Sequence, residues 1–127
     1  MNLNKVFLLG HLGKDPILRQ TNSGLDVCNF SMATTETYKN KEGVTEKKTD
    51  WHQIVVWGQQ AANCSKYLSK GSPVLLEGRL QSREWTREDG STIRRTEIVA
   101  YSVNFLRWEK KREERKDYEN EEFYNAG

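Results

Sequence analysis

Hydrophobic residues in this chain recur mostly at every second position, which is the spacing of a half-buried β-strand. The clearest case runs from Leu25 to Tyr38, where Cys28, Phe30 and Met32 alternate with smaller or more polar side chains. Runs of this kind are separated by turn residues, including Thr21–Gly24 and Asp89-Gly90. The predicted strands are Leu3–His11, Leu25–Tyr38, Thr49–Trp57, Val74–Arg87 and Thr92–Leu106.

One segment follows a helical period instead. Ala61, Cys64 and Leu68 lie on one helical face, and Gly71 follows as a C-terminal stop, so we predict a helix over Gln59–Lys70. The polar segment Lys39–Lys48 is predicted to be a flexible hairpin loop with Gly43 at its tip. Three strands, one helix and two strands predict an all-β fold with one short helix, a five-stranded OB-fold barrel with the helix between strands 3 and 4.

The first predicted strand has more apolar surface than a small barrel requires. Val6-Phe7-Leu8-Leu9 is apolar on both strand faces, which is typical of a strand buried on both sides. A barrel has only one inside. We therefore expect the second face of this strand to lie against another subunit, with cover by the helix or the C-terminal tail as the alternative.

Tryptophans occupy strand faces that suit a core poorly. Because side chains alternate, Trp51 and Trp57 share a face with Gln53 and Val55, whereas His52, Ile54 and Val56 share the opposite, core-like face. Trp85 shares its face with Arg79, Gln81, Arg83 and Arg87. Aromatic rings among cations are what binding of single-stranded nucleic acid requires, since the rings stack on bases and the cations hold phosphates. The alternative is ordinary half-buried packing at a surface.

Length and charge indicate one basic domain with a charged extension. The chain has 127 residues; residues 1–108 contain 15 Lys and Arg against 11 Asp and Glu, and residues 109–127 contain 5 against 7. We therefore predict a DNA-binding domain over 1–108 and a charged C-terminal tail over 109–127. A basic body is compatible with a polyanionic partner.

The sequence offers no enzyme motif, and we expect neither catalysis nor a cofactor. His11, Cys28, His52 and Cys64 are scattered without the short spacing of metal ligands, so no metal site is expected. The cysteines are interpreted as small buried hydrophobic residues, and His52 as a core or interface histidine. Without a disulfide pattern or a long apolar run, we expect a cytoplasmic, nucleoid-associated protein that does not enter a membrane.

Several ordered motifs resemble the bacterial single-stranded DNA-binding protein family. The resemblance spans roughly residues 3–107, and each motif alone would be a weak signal. The motifs are Leu9–Pro16 (LGHLGKDP), Ala33–Lys39 (ATTETYK), Asp50–Gly58 (DWHQIVVWG), Tyr67–Ser72 (YLSKGS), Val74–Leu80 (VLLEGRL) and Arg83–Thr86 (REWT).

The resemblance implies an OB fold, usually a homotetramer, that wraps single-stranded DNA without strong sequence preference during replication, recombination and repair. It implies stacking on Tyr38, Trp51, Trp57 and Trp85, and backbone contacts by Lys5, Lys39, Lys70 and Arg83. The loop cluster adds Lys41, Lys47 and Lys48 as phosphate-binding candidates, and the strand face of Trp85 adds Arg79 and Arg87.

The sequence departs from the family at several positions. Tyr38 stands where tryptophan is usual and Trp57 where phenylalanine is usual, while Gln53, Gln59 and Glu84 stand where basic residues are common. Family members commonly end in an acidic tip, Asp-Ile-Pro-Phe, that recruits replication and repair proteins. This chain ends instead in Glu121–Gly127, so either it is truncated or this member lacks the tip. A primosomal accessory protein and a protein-binding OB adaptor remain alternatives.

Overall fold

The computed structural model describes residues 1–107, and the predicted tail 109–127 lies outside the described residues. Strands dominate the described part, with one helix between the fourth and fifth of them. The elements are β1 (Val6–Leu12), β2 (Ile17–Gln20), β3 (Asp26–Lys39), β4 (Thr45–Trp57), α1 (Gln59–Tyr67), β5 (Pro73–Thr86) and β6 (Thr92–Phe105).

The strands close into a barrel in the order β1-β5-β6-β4-β3, with β3 pairing back to β1. All neighbours are antiparallel except β4 and β6, which run parallel through Ile54–Val56. The extra strand β2 was not predicted, because its four residues are all exposed and show no alternation. It pairs with the same edge of β3 as β1 does, so β1 and β2 act as two segments of one bent strand. The predicted five-stranded OB-type barrel with its helix is confirmed.

The core lies inside this barrel and under α1. Its inward positions on β3 and β4 are those that the alternation predicted, including Phe30, Met32, Ile54 and Val56. Cys28 and Cys64 are both fully buried, as expected of small hydrophobic residues. Burial removes the thiolate's solvation and raises the pKa of Cys64 to about 12, so this thiol stays protonated and unreactive.

The helix is shorter than predicted. It ends at Tyr67 rather than Lys70, because Leu68 adopts an extended conformation that buries its side chain completely. Gly71, at φ 90°, serves a separate turn after the helix. In that turn the Gly71 amide donates to the Leu12 carbonyl, which joins the turn to the end of β1.

The predicted flexible loop Lys39–Lys48 is wrong. β3 and β4 remain paired out to Lys39 opposite Thr45, leaving only residues 40–44 as a turn. The Asn40 side-chain oxygen accepts from the amides of Glu42 and Val44 and orders that turn. Five threonines on β3 and β4 favour extended backbone, which helps a polar segment to continue as strand.

Simple alternation gives the wrong inward face at two places. Continued along β5 from Leu76 and Gly78, it predicts that Leu80 points inside, but Leu80 is exposed. On β6, it predicts that one face is shared by Ile93, Val99, Tyr101, Val103 and Phe105. A bulge at Tyr101 changes the alternation, since Glu77 pairs with Ser102 while Gly78 pairs with Ala100. Ile98 and Ala100 therefore face the core before the bulge, and Val103 and Phe105 pack against it afterwards.

The outer face of β1 is apolar and open. Phe7 and Leu9 are 65% and 62% exposed, so the expectation that this strand is buried on both faces does not hold within one chain. Leu75 lies directly opposite Leu9 on β5 and is also exposed. This surface carries three apolar side chains that the described chain leaves in solvent.

Candidate nucleic-acid interface

Trp51 and Trp57 project from the outer face of β4, as the alternation predicted. The register is continuous from Val27 opposite Trp57 to Lys39 opposite Thr45, so odd-numbered positions of β3 and β4 share this face throughout. The two indoles are 58% and 44% exposed, which leaves ring surface free for stacking. Val55 between them is buried and supports the sheet rather than the solvent-facing surface.

A groove of about 490 Å³ runs across the barrel beside Trp57. Its walls come from β4 and from four further strands, β2, β3, β5 and β6, which together form a continuous part of the sheet. Its polar lining includes Arg19, Arg83, Arg95, Gln53 and Glu97. Three guanidiniums and one carboxylate give the groove a net positive charge, which favours a polyanionic ligand.

A second, smaller depression of about 220 Å³ lies at Trp51. Gly13, Lys14 and Ser31 border it, and Gln53 borders both depressions and so joins them. A Cβ atom at Gly13 would collide with the six-membered ring of Trp51, so any larger residue there would displace the indole. In this structure the Trp51 ring therefore packs directly against the Gly13 backbone.

Trp85 lies on the β5–β6 ribbon among cations. The Arg83 and Arg95 guanidiniums are 5.3 Å and 5.7 Å from its ring centroid, within the range of cation–π attraction. Arg83 also donates from Nη2 to Glu97 Oε2 at 3.1 Å. Glu97 is almost fully buried although it lies on the outer face of the barrel, so Arg83 partly compensates a carboxylate withdrawn from water.

Tyr38 does not share the face of Trp51 and Trp57. Its even-numbered position puts it on the face that continues the core side of the sheet, opposite Glu46. Its hydroxyl donates to Glu46 Oε1 at 3.0 Å, and its ring is 47% exposed. The structure therefore places three tryptophans on outer strand faces and separates Tyr38 from Trp51 across the ribbon.

The ribbon sorts its charges by face. Lys39 and Lys47 share the face of Trp51, where the register places threonines opposite or beside them and no carboxylate. Lys48 lies on the other face, directly opposite Glu36. That face also carries the acidic residues Glu46 and Asp50. Lys41 lies in the exposed turn at the ribbon's end.

The remaining candidate cations are dispersed. Lys5 forms an ion pair with Glu77 at 2.6 Å, and this hydrogen bond together with the carboxylate's charge raises the pKa of Lys5. It lines neither depression. Lys70 lies beside the turn that contains Gly13, since its amide donates to Asp15 at 2.8 Å. Arg79 is exposed on the outer face opposite Val99, and Arg87 lies in the turn after β5.

Sequence reasoning missed three cations at this surface, namely Lys14, Arg19 and Arg95. Arg95 could have been found by folding the predicted Asp89-Gly90 hairpin, which places it opposite Arg83. Arg19 belongs to the unpredicted strand β2. His52 is half-buried, with Nε2 2.9 Å from the Thr34 hydroxyl, in keeping with its interpretation as a core or interface residue.

Within residues 1–107 no group of three or more His, Cys, Asp or Glu side chains is arranged to hold a metal ion. The single described helix falls well short of the length and apolarity needed to cross a bilayer.

Comparison with known proteins gives a consistent result. The model of the single-strand binding protein family matches residues 3–106. Single-stranded DNA-binding protein 1 of Chlorobaculum tepidum is 49% identical over 105 residues, which are 82% of this chain and 65% of that protein. The single-stranded DNA-binding protein of Neisseria meningitidis is 43% identical over 106 residues, 84% of this chain and 61% of that protein. The chain thus spans less than two thirds of these relatives' length.

Solved structures show the same likeness. A Plasmodium falciparum SSB in complex with single-stranded DNA aligns with a TM-score of 0.76 and 34% identity, covering 84% of this chain and 97% of that one. A deletion mutant of the Thermus aquaticus single-stranded DNA-binding protein aligns with a TM-score of 0.72 and 28% identity, covering 83% and 51%.

Proposed function

Because the chain belongs to the single-strand binding protein family, we propose that it binds and protects single-stranded DNA without strong sequence preference, in replication, recombination and repair. Bases stack on Trp51, Trp57 and Trp85, and cations around them hold the phosphates. No bond is made or broken in this activity.

The observation that carries the proposal is the outer face of β4. Two half-exposed indoles stand on it six residues apart, and two depressions joined at Gln53 connect them. Exposed indoles contribute little to core packing, whereas they can stack on the unpaired bases of a single strand regardless of base sequence. The net positive groove beside Trp57 supplies the charge that a phosphate backbone requires.

Tryptophan fluorescence tests this directly. Titration with an oligonucleotide of thymidines is expected to quench the emission strongly, because the indoles stack on bases. A duplex of the same length serves as the control and should quench far less, since its bases are already stacked and paired. Unchanged emission at saturating single strand would contradict the proposed function.

The phosphate contacts follow from the charge pattern. On the ribbon we assign them to Lys39 and Lys47 and to Lys41 at the turn, with Lys48 as a peripheral cation. Around Trp85 we assign them to Arg79, Arg83 and Arg87, and beside Trp51 to Lys70. Lys5 is included because of the family resemblance. Its ammonium group must then contact both Glu77 and a DNA phosphate.

We further propose that the protein is a homotetramer. The open apolar surface around Phe7, Leu9 and Leu75 supports self-association. So does the edge of β1, where Val6–Gly10 pair on one side only within the described part of the chain. Leu9→Glu should dissociate the assembly in sedimentation equilibrium. Leu18→Glu, a similar change at an exposed leucine on β2, should leave it intact. A wild-type monomer at micromolar concentration would refute the assembly.

A further inference from the structure

We propose that Arg83 and Arg95 form a two-guanidinium phosphate subsite at the rim of the groove, in which Arg95 supplies the net charge and Glu97 positions Arg83. This inference rests on the proposed function, because it names the part of the nucleotide that this end of the groove takes. The subsite lies on the outer face of β5 and β6, next to the indole of Trp85.

The two arginines are brought together by the register. Arg83 and Arg95 are direct cross-strand partners, and Trp85 is two residues from Arg83 on the same face. Like charges at such positions repel each other. Here both guanidiniums lie within 6 Å of the same indole centroid, and one is bound by a carboxylate, which offsets that repulsion.

Glu97 positions Arg83 and leaves most of its hydrogen-bond donors available. Only Nη2 of Arg83 is hydrogen-bonded to Glu97, so most of the five N–H donors of this guanidinium are free for another acceptor. Breaking the ion pair between Arg83 and Glu97 would cost free energy, because it would leave a buried carboxylate unpaired. Glu97 therefore holds Arg83 in place while cancelling much of its charge.

Arg95 differs from Arg83 in this respect. No carboxylate lies within ion-pair distance of Arg95 among residues 1–107. Its charge is therefore uncompensated by the described chain, at the rim of a groove that Arg19 also lines. Two guanidiniums side by side present planar sets of N–H donors that match the geometry of phosphate oxygens. The Glu97 carboxylate, which also lines the groove, repels phosphate from its own vicinity.

The neighbouring Arg94 provides a matched control. It differs from Arg95 by one position, so it points to the opposite face of β6, where it lies 3.8 Å from Glu84 directly across the ribbon. Replacing either arginine with glutamine removes the same charge from the same strand. Only Arg95→Gln removes charge from the groove.

The experiment measures affinity for one thymidine oligonucleotide over a series of salt concentrations. One phosphate contact on a single strand contributes about 0.7 to the slope of log affinity against log salt. Arg95→Gln is expected to flatten the slope by about 0.7, and Arg94→Gln to leave it within error of wild type. Arg95→Lys is expected to keep the slope while weakening binding, since it retains the charge but loses the fork.

Glu97→Gln tests the positioning role. Loss of the carboxylate's charge uncovers Arg83, so the slope should steepen by up to about 0.7, which a purely structural defect would not produce. An unchanged or flatter slope would overturn the role of Glu97. Equal flattening by Arg94→Gln and Arg95→Gln, or none by either, would overturn the subsite. Failure of the wild-type protein to bind at all would instead refute the proposed function.

Discussion

The β3–β4 ribbon allows a sharp test, because its two faces differ in charge. Lys39 and Lys47 share the face of Trp51, whereas Lys48 lies opposite Glu36 on the other face. We expect the double substitution Lys39→Ala and Lys47→Ala to reduce the salt dependence of DNA binding, and Lys48→Ala to change it much less. Lys47 and Lys48 are adjacent in sequence and equally charged, so composition alone cannot produce the difference.

The size of the effect follows from counterion release. Each phosphate neutralised on a single strand contributes about 0.7 to the slope, so two lysines contribute up to about 1.4. When salt rises from roughly 50 to 200 mM, the fold loss of affinity should therefore be about seven times smaller for the double variant than for wild type. The affinity at low salt should itself fall, because the two attractive charges are gone.

Fluorescence titration with one oligonucleotide at four or five salt concentrations measures both quantities. Circular dichroism and thermal melting should be unchanged, since these side chains are exposed and form no ion pair within residues 1–107. Equal slopes for the double variant and wild type would refute the assignment of DNA to this face. A larger effect from Lys48→Ala than from Lys47→Ala alone would place the strand on the opposite face.

Three further outcomes are expected. Trp51→Ala should weaken binding by roughly 1–3 kcal/mol per stacked base, and Tyr38→Ala by less, given its smaller ring and its bond to Glu46; a reversed order in the same titration would refute the ranking. Gly13→Ala should shift the Trp51 emission and weaken binding, because the added Cβ displaces the indole; wild-type emission and affinity would contradict this. Burial raises the pKa of Cys64 from 9.0 to about 12, so the thiol of the folded protein should resist alkylation at pH 8. For the same reason the free energy of unfolding should decrease as pH rises from about 9 towards 12. Rapid labelling of Cys64 without unfolding would refute this burial argument.

Alternation along β4 was sufficient to predict the main platform. Every second residue from Trp51 to Trp57 points outwards because the register with β3 contains no interruption. The same reasoning failed on β6, where one extra residue at Tyr101 reverses the faces. A bulge depends on the curvature that closes the barrel, so it leaves no local trace in a sequence of alternating apolar residues.

Other features required pairing that a linear pattern does not contain. Arg95 becomes part of the groove only when the β5–β6 hairpin folds and places it opposite Arg83. Glu97 is almost fully buried although it lies on an outer face, in a groove lined by residues of five strands. The sequence alone could have predicted that Tyr38 and Trp51 lie on opposite faces. Tyr38 is an even number of residues from Met32 on the same strand, and alternation placed Met32 in the core.

The opposed positions of Tyr38 and Trp51 constrain the path of any strand that contacts both. Such a strand must cross an edge of the ribbon, because the sheet itself separates the two rings. Among residues 1–107 both edges are open there: β3 pairs outwards only as far as Ala33, and β4 pairs outwards only through Ile54–Val56. A flexible single strand can turn around an edge with unpaired amides, whereas a stiff duplex cannot follow so tight a bend. The ribbon geometry thus favours single strands by shape, in addition to the preference that base stacking supplies.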